Sequence, residues 1–214
     1  LTNTIVWLDA EDTDTLWADV DGTVPATAGV ARWDDKSGNS NHMLQADSSY
    51  QPVTGSRTIS NLNALAFDGS NDRLDLDHSI LDGFGDITAA MWLKTTKTGQ
   101  QALISGSNPG NSNEYLIFLA DSTTLRLYTG GTAEGGVSWN LPFSIADNAW
   151  HHLAVIRNDT ANRADLYLDG SWVGAWAVGM DPIDISSGGL VIAQEQDSVG
   201  GGYQAAQALS GGVD

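Results

Sequence analysis

The run Trp150-His-His-Leu-Ala-Val-Ile-Arg157, followed by Arg163-Ala-Asp-Leu-Tyr-Leu-Asp-Gly-Ser-Trp172, decides the fold class. In both pieces apolar residues alternate with polar or small ones. That is the period of a strand with one face buried and one face wet. Asp169-Gly170 between Leu168 and Ser171 suits a type I′ turn, which joins two antiparallel strands tightly. Working outward, similar short runs recur at Thr4 to Leu8, Ala64 to Phe67, Ile87 to Leu93, Gln101 to Ser105 and Glu114 to Leu119. They continue at Leu125 to Thr129, His151 to Arg157, Arg163 to Leu168, Ser171 to Val178 and Gly189 to Ala193. A spacing of roughly 10 to 15 residues, punctuated by Gly, Asn, Asp and Ser, predicts an all-β, two-sheet antiparallel β-sandwich of jelly-roll type. Helical periodicity is almost absent.

The 214 residues suit one such domain, 1–214, with no internal repeat and no linker. The first 60 residues are less regular and are expected to belong to the same sandwich. The closing Gly211-Gly212-Val213-Asp214 reads as the entrance to another strand. With its Leu1 start, the sequence is expected to be a domain of a larger exoprotein.

Composition narrows the function. Twenty-seven acids against nine Lys plus Arg give a net charge of −18. Nucleic-acid binding, which depends on neutralising phosphates, is therefore not expected, and no apolar run is long enough to insert in a membrane. The absence of Cys removes disulfides, thiolate zinc and a cysteine nucleophile. Bound divalent cations can neutralise part of such a charge.

The informative stretch is Gln194-Glu-Gln-Asp-Ser-Val-Gly-Gly-Gly-Tyr-Gln-Ala-Ala-Gln207, which follows an apolar strand. Glu195 and Asp197 stand two apart and would point the same way from an extended strand end. The Gln196 carbonyl and the Gln207 amide oxygen can join them, and three glycines let the backbone fold tightly. Such an oxygen set in a loop suits calcium. The alternative is a polar loop with two solvated acids.

This run resembles the calcium loop of the pentraxins, in which a Gln-Glu-Gln-Asp-Ser core precedes two glycines, an aromatic and a Gln. Asn113-Glu-Tyr-Leu-Ile-Phe118 resembles the strand that supplies that family's remaining calcium ligands. Trp150-His-His-Leu-Ala-Val155, with Leu166-Tyr-Leu-Asp-Gly170 downstream, resembles a strand pair shared by pentraxins and laminin-G-like domains of the concanavalin A-like fold. Trp33-Asp-Asp-Lys-Ser-Gly-Asn39 and Phe67-Asp-Gly-Ser-Asn-Asp72 are similar to bacterial laminin-G-like modules of large adhesins. The resemblance implies a calcium cofactor held by Asn113, Glu195, Gln196 through its main-chain oxygen, Asp197 and Gln207. Glu195 and Asp197 would each bridge two ions. Phe118 and Tyr203 are candidates to wall the ligand site, or else core. Ser112 and Gln204 stand where the family usually or often has acids, which implies calcium affinity of about 10⁻⁴ to 10⁻³ M. The implied role is a secreted or surface-attached adhesion module that recognises a glycan or an anionic group such as a peptide carboxylate. A calcium-stiffened structural spacer is the alternative.

Other candidates carry plainer readings. His151 and His152 are adjacent on a strand, so one faces in and one out. Of the eight Trp residues, Trp139, Trp172 and Trp176 are the best candidates for exposed, sugar-stacking positions. Asp9, Glu11, Asp12, Asp14, Asp19 and Asp21 could hold a structural calcium, or could make Asx-turns in a solvated loop. Catalysis is not expected. Glycoside hydrolysis needs a carboxylate pair, and the nearest alternation, Asp75-Leu76-Asp77, lacks a glutamate and reads as a polar strand face.

Overall fold

The structure, a computed structural model, describes residues 3–130, 136–177 and 181–214. Strands are numbered in chain order. One sheet contains, side by side, β1 (Leu16–Trp17), β2 (Arg32–Trp33), β3 (Met43–Leu44), β6 (Leu74–Asp75) and β15 (Leu190–Ile192). It continues through β8 (Gln101–Asn108), β9 (Asn111–Asp121), β10 (Thr124–Thr129) and β11 (Val137–Asn140). The second runs β14 (Ser171–Ala177), β13 (Arg163–Leu168), β12 (His151–Asn158), β7 (Ile87–Thr95), β16 (Ser210–Val213), β5 (Leu62–Asp68) and β4 (Val53–Ile59). Neighbouring strands pair antiparallel throughout, as the sandwich reading requires.

The alternation read from the sequence is the alternation of burial. Along β12 the residues from His151 to Asn158 are alternately buried and half-buried, and β13 repeats the pattern. Leu153, Val155, Leu166 and Leu168 meet Tyr115, Ile117, Leu125 and Leu127 of the opposite sheet in one hydrophobic core. Asp169 and Gly170 both have positive φ, 51° and 75°, as a type I′ turn demands. His151 points inward between Asp169 (2.9 Å) and Asp147 (3.1 Å), while His152 is half-buried on the outer face. Arg157, also inward, is held by Thr129 Oγ1 (2.7 Å) and by the carbonyls of Gly85 and Asp181. A buried guanidinium is tolerated because its donors are used.

Three expectations need correction. Thr4 to Leu8 is not a strand. Its backbone serves as a polar anchor instead: Trp7 N donates to Asp35 (2.8 Å), and the Ile5 carbonyl accepts from Ser37 and Asn41 side chains. Trp139 is buried, its indole N–H bonded to the Gly174 carbonyl at 3.1 Å, whereas Trp172 and Trp176 are exposed as expected. Trp7 and Trp92, which were not among the candidates for exposed positions, are exposed. Val178, the expected end of β14, lies outside the described residues. Gly211 to Val213 is the strand it was read to enter, pairing with β5 and β7 at once.

Candidate functional site

β15 is a three-residue strand, buried throughout, between β6 and β8. It stops because Ala193 adopts a left-handed φ of 70°, which turns the chain out of the ladder. Two bonds hold the turn: Ala193 N to the Leu103 carbonyl (3.1 Å) and Leu209 N to the Ala193 carbonyl (2.9 Å). The second clamps the far end of the loop beside its start. Gly200 and Gly202 have φ of 65° and 75°, and a Cβ on Gly202 would come within 2.7 Å of the Asp197 Cβ. Glycine is required there by both conformation and space.

Gln196 is the anchor of the loop. Its amide nitrogen donates to the carbonyls of Ser105 and Gly189, each at 3.0 Å. Its amide oxygen accepts from Gly200 N at 2.7 Å and from Ser107 Oγ at 3.3 Å, and its main-chain N–H reaches Ser105 Oγ at 3.2 Å. The side chain is fully used, so only the main-chain oxygen of Gln196 is left for a cation.

The residues around this anchor are not satisfied in the same way. Glu195 is 4% exposed, and its Oε2 is buried with no hydrogen-bond partner. Burial, and secondly the Asp197 carboxylate, push its pKa up to about 7. Asn113 Oδ1, Gln194 Oε1 and Gln207 Oε1 are also buried without a donor. Among the described residues these four are the only buried carboxylate or side-chain amide oxygens left unpartnered. All four lie on Asn113 or in the segment 194–207. A buried acceptor without a donor costs about 1–3 kcal/mol, so these four oxygens are the candidates to face a positively charged occupant. Asp197 is exposed at the loop surface and accepts from Gln204 Nε2 at 2.6 Å. Gln204 thus fills with a donor the place where an acid was expected.

The expectation that Glu195 and Asp197 leave an extended strand end side by side is therefore modified. The turn at Ala193 comes first, and it sends Glu195 inward and Asp197 to solvent, close enough for their charges to interact. Asn113 reaches the region on β9, which is separated from β15 only by β8: Ser105 pairs with Leu116 on one side and with Val191 on the other. Gln207 returns on a 3-10 turn, Ala205–Gln207. Two carboxylates, side-chain amide oxygens and a main-chain carbonyl are oxygen donors of the kind that could hold calcium. Consistent with so few acids, no three His, Cys, Asp or Glu side chains among the described residues converge on a possible metal position.

The proposed walls behave differently from each other. Phe118 is buried with Ala102 and Leu116 in a small outer cluster and is a packing residue. Tyr203 is half-buried and faces the Arg73 guanidinium at 4.5 Å, while Tyr50 contacts that guanidinium at 4.1 Å. Arg73 escaped the sequence reading, since a lone Arg before a strand carries no signal. Gln194 was also passed over as a ligand, although it lies within the quoted run. Its amide nitrogen bonds the Ser70 carbonyl at 3.1 Å, which leaves the oxygen free.

Three of the six N-terminal acids, Asp9, Asp12 and Asp19, are spent on the protein itself, and Glu11, Asp14 and Asp21 are exposed. Asp9 and Asp12 hold Lys36 Nζ at 2.8 Å each, Asp19 caps Thr23 N (2.8 Å) and Val24 N (3.1 Å), and Asp34 binds Trp17 Nε1 (2.8 Å) and Arg32 Nε (2.6 Å). Asp19 makes the turn-type bonds of the Asx reading, whereas Asp9 and Asp12 form ion pairs with Lys36. Asp75 and Asp77 do not form a carboxylate pair: Asp75 is exposed, and Asp77 caps Ser79 N at 3.0 Å.

Comparison with known proteins bears on the family and the fold. Residues 68–213 match the family model described as the concanavalin A-like lectin/glucanases superfamily. The human neuronal pentraxin receptor is 33% identical over 134 residues, covering 59% of this chain and 25% of that protein. The chain thus spans about a quarter of the length of this curated relative. The heptameric SAP-like pentraxin of Limulus polyphemus superposes with a TM-score of 0.53 at 24% identity, covering 63% of each chain. Domain 4 of an extracellular arabinanase from Geobacillus stearothermophilus, solved with arabinotriose, gives 0.55 at 14% identity over 85% of this chain and 83% of that one. With its two antiparallel sheets and the loop that follows β15, the chain belongs to the concanavalin A-like lectin/glucanase superfamily, as a pentraxin- and laminin-G-like domain.

Proposed function

We propose that this domain is a calcium-dependent binding module that recognises a glycan or an anionic group through protein-bound calcium. The observation that carries the reading is the set of buried, donorless oxygens of Asn113, Gln194, Glu195 and Gln207. Asn113, Glu195, Gln207, Asp197 and the Gln196 carbonyl would hold the ion, with Gln194 as a further candidate. Calcium would supply open coordination positions for phosphate, carboxylate or vicinal hydroxyl oxygens. A bound cation also answers how a chain of net −18 can accept an anion: the local field is that of the ion.

The surroundings favour access. Asp197 and Gln204 are exposed, so the outer side of the loop opens to solvent. Tyr203 stands in the same loop, its ring against the Arg73 guanidinium. The arabinanase domain solved with arabinotriose supports a sugar ligand by likeness of fold alone. A binding role is favoured over hydrolysis because Glu195 belongs to the loop and Asp77 is used to cap Ser79 N. A secreted or surface location, within a larger adhesin, is part of the same proposal. No helix among the described residues is long and apolar enough to cross a membrane.

The test is calorimetric titration of calcium into chelator-stripped protein, followed by a glycan and phosphomonoester panel with calcium and with chelator. Saturable calcium heat and ligand retention only with calcium are expected. Ligand retention that ignores the chelator would sink the calcium-mediated reading. An absence of calcium heat would remove the site.

A further inference from the structure

The two limbs of the 194–207 loop are held by different means. The outgoing limb is anchored by Gln196, whose side chain and main-chain N–H bond to the neighbouring strand. The returning limb ends in the 3-10 turn Ala205–Gln207, and Ala205 and Ala206 are exposed, so apolar packing begins only at Ala208 and Leu209. What reaches the turn is Lys97, from the connection between β7 and β8. Its Nζ donates to the Ala208 carbonyl at 2.7 Å and more weakly to the Ala205 carbonyl at 3.5 Å. Gln207 lies between these two carbonyls in the chain. Among the described residues no other side chain is hydrogen-bonded to the main chain of 205–208.

Lys97 is itself fixed from behind. Its main-chain N–H donates to Thr95 Oγ1 at 3.0 Å, and its carbonyl accepts from Gln101 Nε2 at 3.0 Å. Thr95 and Gln101 are buried and both bind Ser210: Thr95 Oγ1 donates to the Ser210 carbonyl at 2.7 Å, and Ser210 N donates to Gln101 Oε1 at 3.1 Å. With Leu209 N on the Ala193 carbonyl (2.9 Å), the chain is already closed beyond Ala208. Closing the fold therefore does not need the ammonium. Burial lowers the Lys97 pKa, so keeping a charge there carries a desolvation cost. What the ammonium adds is the setting of one turn, and that turn carries Gln207, whose Oε1 is buried without a donor. An unpartnered oxygen relaxes toward a donor or water unless its main chain is held.

On the calcium reading of the loop, on which this inference rests, we propose that Lys97 is a positioning residue for the ion. An ammonium has donors and no acceptor, so it cannot ligate calcium and acts through Gln207. By holding the Ala205 and Ala208 carbonyls it fixes the turn on which Gln207 presents its oxygen, and so sets affinity before an ion arrives. Groups that orient metal ligands from behind act in this way because a ligand already in place loses less freedom on binding. The ammonium has two effects on calcium, and they differ in sign. Its charge repels a cation, so charge alone makes its removal tighten binding. Its bonds hold the ligand, so lost positioning makes its removal weaken binding. The sign of the change therefore identifies the role.

The test titrates calcium into the chelator-stripped full chain, read by amide chemical shifts so that millimolar affinities stay measurable. Lys97→Met, which keeps the stem and loses the donors, is expected to weaken binding about 10-fold. Lys97→Arg, which keeps a charged donor, is expected to retain most of the affinity. In the Gln207→Ala background Lys97→Met should weaken binding no further, because the two residues act as one unit. In chelator, Lys97→Met should speed exchange of the Ala208 amide, which bonds the Ala205 carbonyl at 3.3 Å, and leave Tm nearly unchanged. Unchanged or tighter binding in Lys97→Met, with the parent chain binding calcium, would overturn the proposal and leave the calcium reading standing. So would an equal loss in the Gln207→Ala background, since Lys97 would then act on the loop as a whole. Absence of any calcium-dependent shift in the parent chain would end the calcium reading itself, and the proposal with it.

Discussion

The acid-rich N-terminal part, from Asp9 to Asp35, and the loop from Gln194 to Gln207 use their oxygens in opposite ways. Asp35 accepts from the N–H groups of Trp7 (2.8 Å), Ser37 (2.8 Å) and Asn41 (3.0 Å) and from the Ser37 hydroxyl (2.7 Å). Burial alone would raise its pKa, but these donors outweigh burial and hold it below the usual value. Glu195 is buried to a similar degree, yet one of its oxygens has no partner and its pKa is pushed up to about 7. The first region has many acids and few idle oxygens. The second has two acids and several idle oxygens. Acid density marks solvated turns as readily as cation sites, and it is the unsatisfied buried acceptor that distinguishes them.

The comparison can be broken at its strongest point first. Asp197→Ala is expected to weaken calcium binding on the order of 100-fold, because each lost carboxylate lowers the charge facing the ion. Asp12→Asn should leave calorimetric affinity unchanged. The reverse result would move the cation to the N-terminal cluster. The next effect is thermal. Calcium at about 100 times its Kd should stabilise the domain by about 2.7 kcal/mol, a rise of roughly 5 to 10 °C in Tm for a chain of this size, read by calorimetric scanning. In Glu195→Gln the rise should vanish.

Smaller effects sharpen the contrast. Asp35→Ala strands three N–H groups and should cost about 2 kcal/mol in denaturant unfolding, with calcium affinity intact. Glu195→Gln removes a buried charge without a partner, so in chelator its unfolding midpoint should rise by a few °C, roughly what 1 kcal/mol supplies. Loss of a carboxylate thus destabilises one region and stabilises the other. His151 gives the smallest signal. Burial would lower its pKa, but bonds to Asp169 and Asp147 outweigh that and raise it. Its pairing is fully present below about pH 6.5, the unfolded value, and is lost as pH rises through the higher folded value. In the Glu195→Gln background Tm should fall across that window, and His151→Asn should flatten this part of the profile.

Much of this was legible in the residues. The alternation of His151 to Arg157 and Arg163 to Leu168, and the Asp169-Gly170 turn, report directly on strands because side chains alternate faces whatever the distant partner. Short strands such as β1, β2 and β3 were not legible. Two residues carry no period, and these are strands only because neighbours align them. Thr4 to Leu8 shows the converse: an alternating run whose backbone went to Asp35, Ser37 and Asn41 side chains instead of a ladder. Trp139 was misplaced because a tryptophan in a short strand gives no hint of which face is covered.

At the site, the sequence by itself determined the donor types, their spacing and the glycines that let the loop close. Local chemistry sets all of these. Tertiary structure decided which oxygens remain free. Whether an amide is spent, as in Gln196, or idle, as in Gln207, depends on the strands that happen to lie beside it. It also decided that Glu195 turns inward, through the left-handed turn at Ala193. Hydrogen-bond satisfaction is a property of neighbours in space, and residues 91 apart in the chain, such as Ser105 and Gln196, become neighbours only when the sheets assemble.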